Sequence, residues 1–162
     1  MKVELPKNCL VDTVYISALG NRKDYRHQSA HSYHIALQAN QTRFYLPSFA
    51  IGELLAAQID DSGLTALLGL LQPKILAYDA TAAKKYAELT KLHPGFFRGP
   101  RDEKNRRIVD LMVVAMADVN GIESIISQDK HMCSTFLKGT NIEGLDFDVP
   151  LSDRYPLYRQ TN

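Results

Sequence analysis

The feature that most constrains this chain is the alternation of short apolar segments with longer helical runs. "NCLVD" (8–12), "RFYLP" (43–47), "KILAY" (74–78) and "IESIIS" (122–127) read as strands, and "LDFDV" (145–149) is a possible fifth. Between them the pattern predicts helices over "TVYISALG", from Asp24 to about Ala39, over "FAIGELLAAQI" with Ser48 as N-cap, over "GLTALLGLL", over "ATAAKKYAELTKL" capped by Asp79, and over "EKNRRIVDLMVVAMADV" stopped by Asn120-Gly121. Strands separated by helices of ten or more residues specify an α/β fold with a mainly parallel sheet of four or five strands. At 162 residues, with no internal repeat and no low-complexity linker, a single domain over 1–162 is expected.

In open sheets of this kind ligands bind beyond the carboxyl ends of the strands. That makes the acid in "CLVDTVYIS" informative. Asp12 ends the first strand, and Asp129, in "SIISQDKHM", lies just past the fourth. Parallel strands would put both on one sheet edge. Local roles are available to each: Asp12 as a cap, Asp129 as the start of a helical turn. Two further acids stand in apolar settings. Glu53 is the only charge in "FAIGELLAA", a helix apolar enough to be mostly buried, so its carboxylate needs a partner or a cleft. Asp110 lies on the long helix, whose apolar face is expected to be Ile108, Leu111, Met112, Ala115, Met116 and Val119. Its structural reading is a solvated stripe with an Arg106–Asp110 pair. Taken together, the four acids are explained by one divalent cation. Mg²⁺ and Mn²⁺ take oxygen ligands, and crowded carboxylates repel one another until a cation neutralises them.

With Asp12, Glu53, Asp110 and Asp129 in this order, and "CLVDTVYIS", "LPSFAIGELLAA" and "RRIVDLMVVAMADVNGIESIISQDKHM" around them, the chain resembles the PIN-domain ribonucleases, and among them the VapC-type toxins of toxin–antitoxin systems. The likeness runs over nearly the whole chain. It implies a three-layer α/β/α sandwich with a parallel sheet, and Mg²⁺- or Mn²⁺-dependent endonucleolytic hydrolysis of RNA. The same four acids would be the catalytic, metal-holding set, with Thr13 and Ser127 behind them as hydrogen-bonding supports. It also implies a homodimer with an antitoxin as partner; a cytoplasmic location is the separate expectation from two cysteines without a disulfide framework and from an opening without a signal-peptide pattern. Three departures bear on subfamily and substrate: His131 stands where many members carry a second acid, Glu123 falls in the fourth strand, and the segment from Gly20 to Asn40 is long and His-rich.

A basic run, Arg98, Arg101, Lys104, Arg106 and Arg107, leads into the Asp110 helix, and Lys130 and His131 follow Asp129. These are the candidate RNA-phosphate contacts, with Phe96-Phe97 as possible base-stacking residues. His27, His31 and His34 recur at i, i+4 and i+7, but no Cys or acid motif joins them as a zinc site, and a solvated helix face is the expectation. Cys9 and Cys133 have no CxxC spacing and read as free thiols. The net charge of +1 neither requires nor excludes a polyanion. No segment has the form of a signal peptide or a membrane span. The competing readings are a non-catalytic PIN-like module that binds RNA or protein, a non-toxin RNA-processing nuclease, and a phosphoryl-accepting domain with Asp12 as nucleophile. The last lacks the paired acids expected beside such a residue.

Overall fold

A computed structural model of the chain describes residues 4–57, 61–95 and 98–156. Its centre is a five-stranded, all-parallel sheet: β1 (Asn8–Val11), β2 (Arg43–Pro47), β3 (Lys74–Leu76), β4 (Ser124–Ser127) and β5 (Glu143–Asp146), in the order β3-β2-β1-β4-β5. The helices are α1 (Thr13–Gly20), α2 (His27–Ala39), α3 (Ser48–Ala56), α4 (Asp61–Leu71), α5 (Ala80–Lys91), α6 (Arg101–Val119) and α7 (Leu151–Arg154), with a 3₁₀ turn at Thr135–Leu137. The sheet is parallel throughout, as expected, and of the four or five strands anticipated it has five.

Each central strand feeds two cores, because successive side chains point to opposite faces. Cys9, Val11, Phe44, Leu46, Ile126 and Leu145 pack with α1 to α4 and α7. Leu10, Leu76 and Ile125 pack with α5, α6 and the 3₁₀ turn. Strands buried on both faces must be apolar throughout, which is why they read as runs rather than alternations. The strand order reverses direction between β1 and β4: β2 and β3 are added on one side of β1, β4 and β5 on the other. This is the switch point, where the two flanking connections diverge and leave a crevice at the carboxyl ends.

Several local expectations shift. The second helix begins at His27, not Asp24, because residues 21–26 turn around Asp24, whose Oδ1 accepts from the Arg26 backbone N at 2.9 Å. Pro47 occupies the N-cap position of α3 and Ser48 is its first helical residue, with no side-chain cap. That helix buries only Ala50 and Leu54, so it is far less enclosed than its composition implies. The fifth strand lies two residues earlier than "LDFDV", and Glu123 precedes β4 rather than lying within it, where its Oε2 accepts from the Lys7 backbone N at 2.9 Å. In α6 the buried set is Leu111, Val113, Val114, Ala115, Met116 and Ala117, enclosed on nearly all sides rather than along one stripe. Ile108, Met112 and Val119 are only half-buried. His34 is not on a solvated face: it is 3% exposed, and its ring stacks on Phe44 with centroids 5.8 Å apart.

Candidate active site

Asp12 stands at the junction of β1 and α1. Its backbone N donates to Ile126 O across the β1–β4 ladder, and its Oδ1 caps α1 by accepting from Tyr15 N at 2.7 Å. The cap role and a site role are therefore not alternatives: one oxygen serves the helix. The other, Oδ2, accepts from Ser127 Oγ. Ser127 Oγ in turn accepts from the Asp129 backbone N at 3.0 Å, so one hydroxyl ties the end of β1 to the turn after β4. Asp129 Oδ1 accepts from the backbone N–H groups of His131 and Met132, at 2.7 and 3.1 Å. Its Oδ2 takes no hydrogen bond among the described residues.

Asp12, Glu53, Asp110, Thr13, Ser127 and Asp129 all line one cavity of about 350 Å³ at the carboxyl ends of β1 and β4. Four elements and loops, far apart in sequence, deliver the four carboxylates to it. Val14, Pro47, Phe49, Val109, Val113 and Met132 form its apolar wall, and Asn105 and Arg106 its remaining polar lining. Asn105 carried no sequence signal, since an isolated amide on a helix is commonplace. Thr13 reaches the cavity but bonds to none of the acids.

The electrostatics follow from this crowding. Burial pushes Asp12 up to about 6; its bonds from Ser127 and Tyr15 work against that, while Asp129 and Glu53 add to it. Asp110 is pushed further, to about 7, by burial first and then by Asp129, Asp12 and Glu53. Arg106, one turn earlier, only partly offsets this, and it closes no ion pair with Asp110 among the described residues. A site that holds carboxylates against mutual repulsion favours whatever positive charge enters it.

The donor set fits a hard divalent cation in type, charge and location. Among the described residues, however, no three His, Cys, Asp or Glu side chains stand together as a closed metal cage. An open set is compatible with Mg²⁺, which keeps several waters and uses one or two carboxylates plus substrate phosphate. His27, His31 and His34 form no such cage either: His27 Nδ1 lies 3.0 Å from Ala18 O, His31 is exposed, and His34 is buried.

The candidate phosphate contacts separate into groups. Arg106 faces the cavity. Arg107 is turned away, paired with Glu103 at 3.0 Å and donating to Arg98 O at 2.9 Å. Arg98 and Arg101 are exposed at the start of α6, and Lys104 is half-buried there. Lys130 and His131 are exposed directly after Asp129, with His131 Nδ1 3.5 Å from Thr135 Oγ1. Phe96 and Phe97 lie outside the described residues. Cys9 is buried and Cys133 half-buried; burial pushes both thiols up to about 12, so neither is a nucleophile at neutral pH. Among the described residues no helix is long and apolar enough to cross a membrane.

No family model matches the sequence, and no curated protein matches it. Solved structures do match in shape. FitAcB from Neisseria gonorrhoeae superposes with a TM-score of 0.61 at 14% identity, over 87% of this chain and 99% of that one. Mycobacterium tuberculosis VapC20, a toxin that cleaves the sarcin–ricin loop, gives 0.56 at 20% identity, over 83% and 98%. DNA-bound VapBC from Salmonella typhimurium gives 0.56 at 18% identity, over 86% and 98%. The chain has the PIN-like fold of these toxin–antitoxin proteins.

Proposed function

We propose that this chain is a Mg²⁺- or Mn²⁺-dependent endoribonuclease and the toxin of a VapC-like toxin–antitoxin pair. The observation that carries the reading is the gathering of Asp12, Glu53, Asp110 and Asp129 around one cavity at the sheet's switch point. The shared fold with toxins of such pairs supports the second half, and an antitoxin as partner with it.

Asp12, Asp110 and Asp129, with Glu53 at the rim, would hold the cation. When bound it supplies an acidified water and positive charge against the phosphate. Ser127 does the orienting: by donating to Asp12 and accepting from the Asp129 amide it fixes the spacing of two ligands. The apolar wall of Phe49, Val109, Val113 and Met132 limits bulk water at the reacting centre. Arg106 supplies the cavity's own cation for a phosphate oxygen.

One observation favours the competing reading of a module that binds without cutting: the lack of a closed donor cage among the described residues. Purified protein incubated with structured and single-stranded RNA, with Mn²⁺ or with EDTA, separates the two. The nuclease reading expects cleavage that needs the metal and disappears in Asp12→Asn. Cleavage that survives both EDTA and Asp12→Asn overturns the mechanism; RNA binding without cleavage in Mn²⁺ selects the module.

A further inference from the structure

Resting on the reading of the acid cavity as an RNA-cutting site, we infer that Tyr25 is a stacking platform for a base of the RNA strand that enters that cavity. The turn between α1 and α2, "NRKDYR", interleaves one aromatic with three cations. Tyr25 is 83% exposed, the barest large hydrophobic side chain among the described residues. A single exposed ring is ordinary on a protein surface; what sets this one apart is how it is held and where it stands.

The ring is held ready rather than left loose. The Arg26 guanidinium lies 5.3 Å from its centroid and backs one face. Arg26 is itself fixed by Asp24, donating from Nε to Oδ1 at 2.8 Å and from Nη2 to Oδ2 at 2.6 Å. Its Nη1 donates to Gln128 Oε1 at 2.8 Å, and Gln128 Nε2 donates to Tyr25 Oη at 3.3 Å and to Asp148 Oδ2. Gln128 is the residue between Ser127 and Asp129. The platform is thus bolted to the same β4 turn that delivers Asp129 to the cavity, and it stands on the same edge of the sheet.

Charge around the ring decides what it would stack. Arg26 is neutralised by Asp24, and Asp148 is close by, so the immediate surroundings do not attract a phosphate. Arg22 and Lys23, three and two residues before Tyr25, are exposed and make no ion pair among the described residues. An aromatic face without local positive excess, flanked by free cations, matches a nucleic-acid strand: base on the ring, backbone on Arg22 and Lys23. A pocketless, sequence-tolerant contact of this type reads the π-face of a base rather than its edge.

The test uses full-length protein and a fluorescein-labelled single-stranded RNA decamer, bound in EDTA so that no cleavage intervenes, and then cleaved in Mn²⁺. Tyr25→Ala is expected to weaken binding by roughly 5- to 150-fold, the range for loss of one base–aromatic stack. Cleavage should show this as a raised KM, with kcat within about threefold. Tyr25→Phe and Tyr25→Trp should restore binding, which loss of the Gln128 contact alone would not predict. The chain contains no tryptophan, so Tyr25→Trp also installs a single reporter whose emission RNA should quench. Ile35→Trp, at an exposed position on α2, should not respond. Unchanged RNA affinity in Tyr25→Ala with normal cleavage overturns the inference and leaves the nuclease intact. Tyr25-dependent binding without any cleavage by the wild type supports the inference and overturns the nuclease. Loss of a co-expressed protein partner in Tyr25→Ala, with RNA affinity unchanged, reassigns the ring to a protein contact and overturns the inference.

Discussion

Two cavities open at opposite ends of the sheet, and they differ in a way that volume does not capture. The larger, about 590 Å³, lies at the amino ends of β2 and β3 and is lined by Gln38, Gln41, Thr42, Arg43, Phe44, Tyr45, Gln72 and Lys74 among others. The smaller, about 350 Å³, lies at the carboxyl ends of β1 and β4 and holds all four conspicuous acids. The large one contains amides and two exposed cations, each able to relax into solvent. In the small one, burial first and then the neighbouring carboxylates push two of the acids, Asp12 and Asp110, above the ordinary carboxylate range. Parallel strands explain the asymmetry: every βα turn opens on the carboxyl edge, so side chains from different connections converge only there.

The sharpest way to break this contrast is to neutralise each end in turn. Asp12→Asn or Asp110→Asn should lower single-turnover RNA cleavage by on the order of 10³-fold, since each removes a charge from the reacting centre. Arg43→Ala and Lys74→Ala should change it by less than about twofold. Equal losses from both ends would mean that the acid cavity is not the catalytic one. Ser127→Ala probes the same edge more gently. It keeps every carboxylate and removes only the hydroxyl that spaces two of them, and a fall of roughly 10- to 100-fold in activity or in Mn²⁺ affinity is expected.

Stability sharpens the contrast further. Gly144 in β5 passes against the loop that carries Asp129, and an added Cβ would meet Cys133 O at 2.1 Å. Gly144→Ala should therefore cost about 1–3 kcal/mol in denaturant unfolding and disturb cleavage as the loop is pushed away. The smallest effect is the pH dependence. Asp12 and Asp110 have folded-state values above those of the unfolded chain, so the native state binds more protons between about pH 4 and pH 7. Their contribution to stability is fully retained below that window and falls as pH rises through it. Metal-free Asp110→Asn should flatten this slope and gain on the order of 1 kcal/mol near neutrality, the full shift being discounted for solvent access. Mn²⁺ should raise Tm more at about pH 7.5 than at about pH 5, because at higher pH the carboxylates it neutralises are ionised. A flat profile in the wild type would contradict the crowding of these acids.

Much of this was legible in the chain. The helix over Thr13–Gly20, the strand Arg43–Pro47 and the Asp79 cap of α5 are as read, because each rests on neighbours in sequence: an apolar run, or a side-chain oxygen two or three residues before an amide. The N-cap of α3 falls one residue before the position its hydroxyl suggests: Ser48 offers the oxygen, yet Pro47 already has the extended backbone that the cap position needs. Burial was harder. The composition of α3 suggests an enclosed helix, but only Ala50 and Leu54 are buried, and Gly52, Glu53 and Leu55 are exposed. The i, i+4, i+7 histidines promised one exposed face, but α2 presents His34 to Phe44 and leaves His31 in solvent.

What the sequence by itself determined is the order of elements, their approximate ends and the chemical kind of each candidate side chain. Those properties depend on residues within about one helical turn of each other, and the alternation of strand and helix was enough to specify a parallel α/β sheet. Only the tertiary structure decided that Arg106 faces the acids, that Ser127 joins Asp12 to the Asp129 turn, and that Gln128 fastens Tyr25 to the same edge. The physical reason is that electrostatic and hydrogen-bonding energies depend on distance through space, and residues more than a hundred positions apart acquire a distance only when the sheet has closed.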